Sequence, residues 1–237
     1  TGDGADDIQV RKWQNDSLGA AETWKGNWCT GTVGGGDYNG DGKSDLFCDS
    51  QGAPAVAGTG GFVSDLMATA ANGMGGSTQL AYTSSTAFQN TNNPGPKFTV
   101  TSLTTLDGRG GSSTATYSYS GGLIDRFERR FLGFRQVRNT LPCIAGETAC
   151  PYVDTWLKQD LASAGKPERV EHHDGSGTLL RASESQYTTN GTTVPRVSLL
   201  TGQFAYTYSG GACTSWPCGS TTGPGAGRRA SRRLSRR

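Results

Sequence analysis

Short β-favouring runs cut by glycine turns constrain this chain more than any other feature. "FTVTSL" (98–103), "TATYSY" (114–119) and "FAYTYS" (204–209) are rich in β-branched and aromatic residues, and 36 glycines punctuate the 237 positions. Runs of that length suit strands, and Asn-Gly, Asp-Gly and Gly-Gly pairs between them supply the positive backbone angles of tight turns. "NGMGG" (72–76), "DGRGG" (107–111) and "SGG" (120–122) are read as hairpin connections, and "DGSG" (174–177) as a turn after His172 and His173. The nearest thing to a helix is "TWLKQDLASAG" (155–165), where Trp156, Leu157 and Leu161 predict one or two amphipathic turns. The fold class expected is all-β, built of antiparallel strands.

Charge narrows the function classes. The formal net charge is +2, but six of the last ten residues, "RRASRRLSRR", are arginine. Without them the 22 basic residues fall to 16 against 20 acidic ones, a net of −4, and a body of that sign does not attract phosphate. Nucleic acid is therefore not an expected partner. The tail is read as a solvated end, with a frame-shifted terminus and a basic arm as alternatives. No apolar run approaches the length of a membrane span. No signal peptide is visible, so a secretion signal is expected outside this stretch.

Six cysteines form three local pairs: Cys29 with Cys48, Cys143 with Cys150, and Cys213 with Cys218. Disulfides in an oxidising compartment are the leading reading, although six cysteines allow 15 connectivities and reduced thiols stay open. Zinc is the other alternative, with "EHHD" (171–174) as nitrogen donor. It lacks a CxxC knuckle, and adjacent histidines on a strand point to opposite faces.

The chemistry-bearing stretch is "DYNGDGKSD" (37–45). Asp37, Asn39, Asp41 and Asp45 stand at loop positions 1, 3, 5 and 9, Gly42 at position 6, and the carbonyl of Lys43 at position 7. Alternate oxygens around a sharp glycine turn are how a hard cation such as Ca2+ is wrapped. Position 12 holds Cys48 where an EF-hand needs glutamate, and a strand follows rather than a helix. A second copy lies 38 residues upstream: "TGDGADDI" (1–8) aligns on "NGDGKSDL" (39–46), so that Asp3 and Asp7 correspond to Asp41 and Asp45. A plain polar turn explains the Asn-Gly and Asp-Gly pairs, but not an aspartate repeated at a fixed offset. Catalysis would need one carboxyl raised in pKa by an apolar pocket, which a glycine-rich exposed turn does not offer. A repeat near 40 residues with strands between copies is the mark of a propeller-like array.

These residues resemble the FG-GAP/VCBS repeat over roughly the first 50 positions. A second resemblance follows. "NGMGGSTQLAYTSSTAF", "TYSYSGGLIDRFERRFLGFRQV" and "KQDLASAGKPERVEHHDGSGTLLR" are similar to the segment after the VCBS repeats in the B component of Tc insecticidal toxins and in virulence-plasmid B proteins. The resemblance implies the end of a calcium-stabilised β-propeller, then the first antiparallel strands of an Rhs/Tc-type β-shell around a cargo toxin. It implies a non-catalytic scaffold in a secreted or surface-exposed polypeptide, with other toxin segments or components, and a host surface, as partners. The expected layout is a repeat region at 1–51, a linker at 52–61, a strand region at 62–208 and a Cys-containing, Arg-rich tail at 209–237, all belonging to a larger protein. Two other classes stand beside it: an integrin-like calcium adhesion module, and a calcium-dependent carbohydrate-active enzyme with two carboxylates facing one cleft.

"RRFLGFRQV" (129–137) has some of the aromatic and basic character of an RNA-recognition strand, but its spacing is wrong, and Phe131 and Phe134 are read as core. No GxSxG elbow accompanies the histidines, and no glycine cluster sits between a strand and a helix as phosphate loops require.

Overall fold

A computed structural model of the chain describes residues 6–14, 17–50, 52–58, 66–92, 95–144, 146–191 and 193–208, with side chains from residue 28 onward except at 53. Two compact units divide it, Thr1–Leu66 and Met67–Arg237. Every regular element described is a strand apart from one 3-10 turn, and no helix among the described residues is long and apolar enough to cross a membrane.

In the first unit, β1 (Asp6–Gln14) and β2 (Ser17–Cys29) form an antiparallel hairpin. β3 (Thr32–Gly36), β4 (Asp45–Ser50) and β5 (Ala53–Ala57) form a three-stranded antiparallel sheet in that order. β5 lies in the stretch read as a linker. Small side chains do not prevent pairing, because ladder bonds come from the backbone, and Pro54 is accommodated on an edge strand. A disulfide joins Cys29 at the end of β2 to Cys48 in β4, and both are buried. Gly31 permits the close turn between β2 and β3: a Cβ there would stand 1.8 Å from the Asp49 carbonyl oxygen.

The second unit is one eleven-stranded sheet. Its elements are β6 (Thr69–Ala71), β7 (Ser77–Ser84), the 3-10 turn Ser85–Ala87, β8 (Gln89–Asn92), β9 (Phe98–Leu106), β10 (Ser112–Asp125) and β11 (Arg130–Phe131). β12 (Gln136–Thr140), β13 (Tyr152–Leu157), β14 (Pro167–His173), β15 (Leu179–Asn190) and β16 (Val197–Thr207) complete it. The order is β16-β15-β14-β13-β12-β10-β9-β7-β6, with neighbours antiparallel, while β8 adds to β10 in parallel and β11 folds back on β10. The turns at 72–76, 107–111 and 174–178 close hairpins as their residues predict. Asn72, Asp107 and Asp174 each accept hydrogen bonds from backbone N–H groups two and four residues on.

Two local expectations fail. The 155–165 stretch is the end of β13 followed by a turn, not a helical one. Cross-strand pairing with β12 and β14 puts Tyr152, Asp154 and Trp156 on one face in period 2, overriding the weak helical pattern. "SGG" is not a hairpin but a kink inside β10, where Gly121 takes φ +67° and a Cβ would come within 2.6 Å of the Arg135 Cβ.

An aromatic cluster packs on this sheet. Phe134 is buried, and its ring lies 4.9 Å from Tyr119, 5.5 Å from Phe131 and 6.0 Å from Phe88, the last two edge-on. Beyond it the sheet is a single layer: among the described residues no second sheet or helix of this unit lies on it, and Leu132, Phe134, Leu179 and Ala182 are its only buried apolar side chains. Among the described residues β16 is the long edge, with no further strand beside it, and its eleven residues hold no charge and no proline.

Candidate cation loop and charged sheet face

The 37–45 loop connects β3 to β4 and is folded on its own aspartates. Asp37 Oδ1 accepts from the N–H groups of Gly40 (2.7 Å) and Asp41 (3.1 Å), and Oδ2 from that of Gly42 (2.9 Å). Asn39 Oδ1 accepts from Asp41 N–H, and Asp41 Oδ1 from Lys43 N–H, each at 2.8 Å. Asp45 is fully buried at the start of β4, where Oδ2 accepts from Tyr38 N–H at 3.1 Å. The Lys43 ammonium stands 3.7 Å from Asp41. Gly40 and Gly42 take positive φ, as the tight winding requires.

These donors are hard oxygens of the kind Ca2+ prefers, and an oxygen that accepts one N–H keeps a second lone pair. Among the described residues, however, no three Asp, Glu, His or Cys side chains are grouped to hold a metal ion. Donor type and spacing fit the cation; the carboxylates are turned to the loop backbone. Asp3 lies outside the described residues, and Asp7 stands in β1 with its side chain outside them. Of the cysteines, Cys29–Cys48 and Cys143–Cys150 are disulfides, and Cys213 and Cys218 lie outside the described residues.

A second constellation, on one face of β12–β14, escaped sequence reasoning. Arg138 donates Nε to Asp154 Oδ1 and Nη2 to Oδ2, both at 2.7 Å, and its guanidinium lies 4.1 Å over the Tyr152 ring. Tyr152 stacks on His173 with centroids 4.7 Å apart. His173 Nε2 is 3.2 Å from Glu171 and Nδ1 is 3.1 Å from the Gly177 carbonyl oxygen. Arg169 pairs with Glu171 and covers the Trp156 ring at 4.5 Å. Asp154 and Glu171 are 4% and 5% exposed, so on an otherwise open sheet these two carboxylates are covered by cations and rings.

The electrostatics are those of paired charges. The Asp154 hydrogen bonds raise the Arg138 pKa against the opposing effect of burial. Burial would raise Glu168, but hydrogen bonds and charge from Lys158 (2.7 Å) and Arg135 (2.6 Å) hold it below the usual carboxylate range. His172 points away from His173, with Arg181 Nη2 at 3.0 Å from Nε2, and burial with the Arg181 and His173 charges lowers its pKa. Carboxylates fixed by guanidinium or ammonium partners are poor proton donors near neutral pH. Ser118, Ser120, Gln136 and Arg138 line a shallow cavity of about 160 Å³ on this face.

A family model described as the insecticide toxin TcdB middle/N-terminal region matches residues 29–163. This chain belongs to that family. The match takes in the 37–45 loop and the sheet as far as β13, so the TcdB-type region spans both units. Solved structures agree in fold. The TcdB-type chain resembles TcdB2-TccC3 without its hypervariable C-terminal region (TM-score 0.64, 16% identity, 85% of this chain and 14% of that one). It also resembles the Photorhabdus luminescens Tc holotoxin pore carrying a TccC3 substitution (TM-score 0.62, 15% identity, 86% and 13%) and a TcdB2-TccC3-TEV crystal structure (TM-score 0.60, 16% identity, 75% and 12%). The chain thus spans about an eighth of the length of these neighbours. A search of curated proteins finds no match.

Proposed function

We propose that this chain is a non-catalytic scaffold segment of a secreted Tc-type toxin. The second unit would supply the first strands of a cargo-enclosing shell, and the first would be the end of a calcium-stabilised propeller of FG-GAP/VCBS type. One observation carries the reading: a TcdB-family sheet eleven strands wide and one layer thick. Such a sheet leaves both faces to be met by something else and buries too little to be a self-sufficient globular core. Its partners are other components of the same complex, as in its structural neighbours, where a TcdB2 chain stands with TccC3.

The test uses the full-length gene product that contains this region, co-expressed with its C-type component. Deleting residues 67–208 should abolish co-purification of the pair and expose the cargo to protease. A deletion product that still binds and protects its cargo would sink the proposal.

A further inference from the structure

At the end of the second unit's sheet where β10, β13 and β15 finish, the connections 125–130 and 158–166 and the described residues of 191–196 lie together, tied by Arg196 to Glu128 and by Arg130 to the Leu161 carbonyl. Two apolar side chains project there: Phe127 is 98% exposed and Val194 is 83% exposed. Their loops are tied by the Arg196–Glu128 ion pair. The Phe127 turn is fixed from several sides. Asp125 Oδ1 accepts from the N–H groups of Phe127 (3.0 Å) and Glu128 (2.7 Å), Arg126 Nη2 donates to Asn92 Oδ1 at 3.0 Å, and Arg130 Nη1 donates to the Leu161 carbonyl at 3.3 Å. Arg129 holds φ +51°, a left-handed conformation that residues with a Cβ rarely adopt. The ring is thus presented on a braced support, so little ordering cost remains on docking.

Charge at this end is one-sided. The three connections carry six basic and three acidic residues, a net of +3, whereas those at the opposite end, 72–76, 107–111, 141–151 and 174–178, carry three acidic and one basic, a net of −2. We propose that this end docks on an anionic lipid surface, with Phe127 and Val194 entering the headgroup–acyl boundary and Arg126, Arg129 and Arg130 meeting lipid phosphates. The excess of cations is complementary to such a surface. Two separate protruding tips suit a fluid interface, which closes around each of them, better than a folded protein, which would need a matching pit for each. The inference is independent of the scaffold reading. With two small anchors and a few cations, the association would be reversible, of the order of a single acyl chain at about 10⁴ M⁻¹.

The experiment is co-sedimentation of the full-length gene product that contains this region with vesicles of phosphatidylcholine alone and with about 30% phosphatidylserine, at about 0.1 and 0.5 M salt. Binding is expected only to the anionic vesicles and only at the lower salt. The pair Phe127→Ser and Val194→Ser should lower the bound fraction roughly tenfold, and Arg126→Gln with Arg129→Gln should weaken binding and flatten its salt dependence. The Phe127 and Val194 substitutions alter exposed side chains, so an unchanged melting temperature will show that the fold is intact. Failure to sediment with anionic vesicles, equal binding to neutral ones, or full binding by the Phe127→Ser, Val194→Ser variant overturns the proposal; the first of these would favour an acidic protein surface instead.

Discussion

Arg138 and Asp154 face each other across β12 and β13 at directly opposed positions, and the guanidinium meets the carboxylate edge to edge through two 2.7 Å hydrogen bonds. Asp154 is buried while the Arg138 side chain remains 44% exposed, so one partner is solvated and the other depends on it.

That asymmetry fixes the expected cost of breaking the pair. Arg138→Met strands a carboxylate away from water and should destabilise the second unit by about 2 kcal/mol, less than a fully buried pair would cost. Arg138→Met with Asp154→Leu should recover part of that loss. Urea titrations of the two single variants, the double variant and the parent give the coupling directly; a double variant as unstable as the sum of the singles would mean that the pair is not coupled.

The two described disulfides close loops of different length, with sequence separations of 19 and 7. On the chain-entropy account, replacing Cys29 and Cys48 by serine should cost about 3 kcal/mol, and replacing Cys143 and Cys150 slightly less. Melting with and without reductant should show the first unit losing more stability than the second.

Calcium and turn can be separated at Asp41. Asp41→Asn keeps an oxygen for the Lys43 N–H but removes the charge, so melting in chelator should be unchanged while stabilisation by added Ca2+ shrinks. Asp37→Ala, by contrast, removes the acceptor of three backbone N–H groups and should lower the melting temperature even in chelator. If Ca2+ does not shift the parent's melting at all, the cation reading of this loop fails.

Acid should weaken the second unit through Glu168. Its folded pKa lies below the ordinary 4.5, so the unfolded chain takes up the proton first. The stability this group contributes is complete above that ordinary value and disappears as pH falls toward the lowered one. His172 acts in the same direction at higher pH: its lowered pKa makes the unfolded state the better proton acceptor as pH drops below 6.5. Glu168→Gln should flatten the acid limb of a stability–pH profile and leave the limb near neutrality unchanged; an identical acid limb would show that the Lys158 and Arg135 contacts carry no linkage.

Turn chemistry was the most legible part of the fold. The glycine, asparagine and aspartate clusters at 72–76, 107–111 and 174–178 need only their own residues to form, and each closes a hairpin. Gly121 misled because its positive φ serves a close approach to Arg135, a residue 14 positions on that no local pattern reveals. Trp156, Leu157 and Leu161 misled because a helical spacing of three residues is weaker than the ladders β13 makes on both sides. The 37–45 loop was visible as an oxygen-rich turn, but its aspartates turn to backbone amides, which a spacing rule does not report. The Arg138–Asp154–Tyr152–His173–Glu171 face was invisible for a different reason. It exists only once the registers of β12, β13 and β14 are set, and a shift of one residue would scatter it to both sides.

β16 sets a kinetic condition on handling and on biogenesis. Eleven residues without a charge, broken only by the bulge at Thr201 and with Leu199 and Leu200 62% and 48% exposed, have no strand beside them among the described residues and so can take up whichever strand arrives first. The order of events then decides the outcome: a covering strand delivered promptly completes the sheet, and a delayed one competes with like edges on neighbouring molecules at a rate that grows with concentration. Dilution, slow synthesis or an excess of the covering strand should all favour the soluble product.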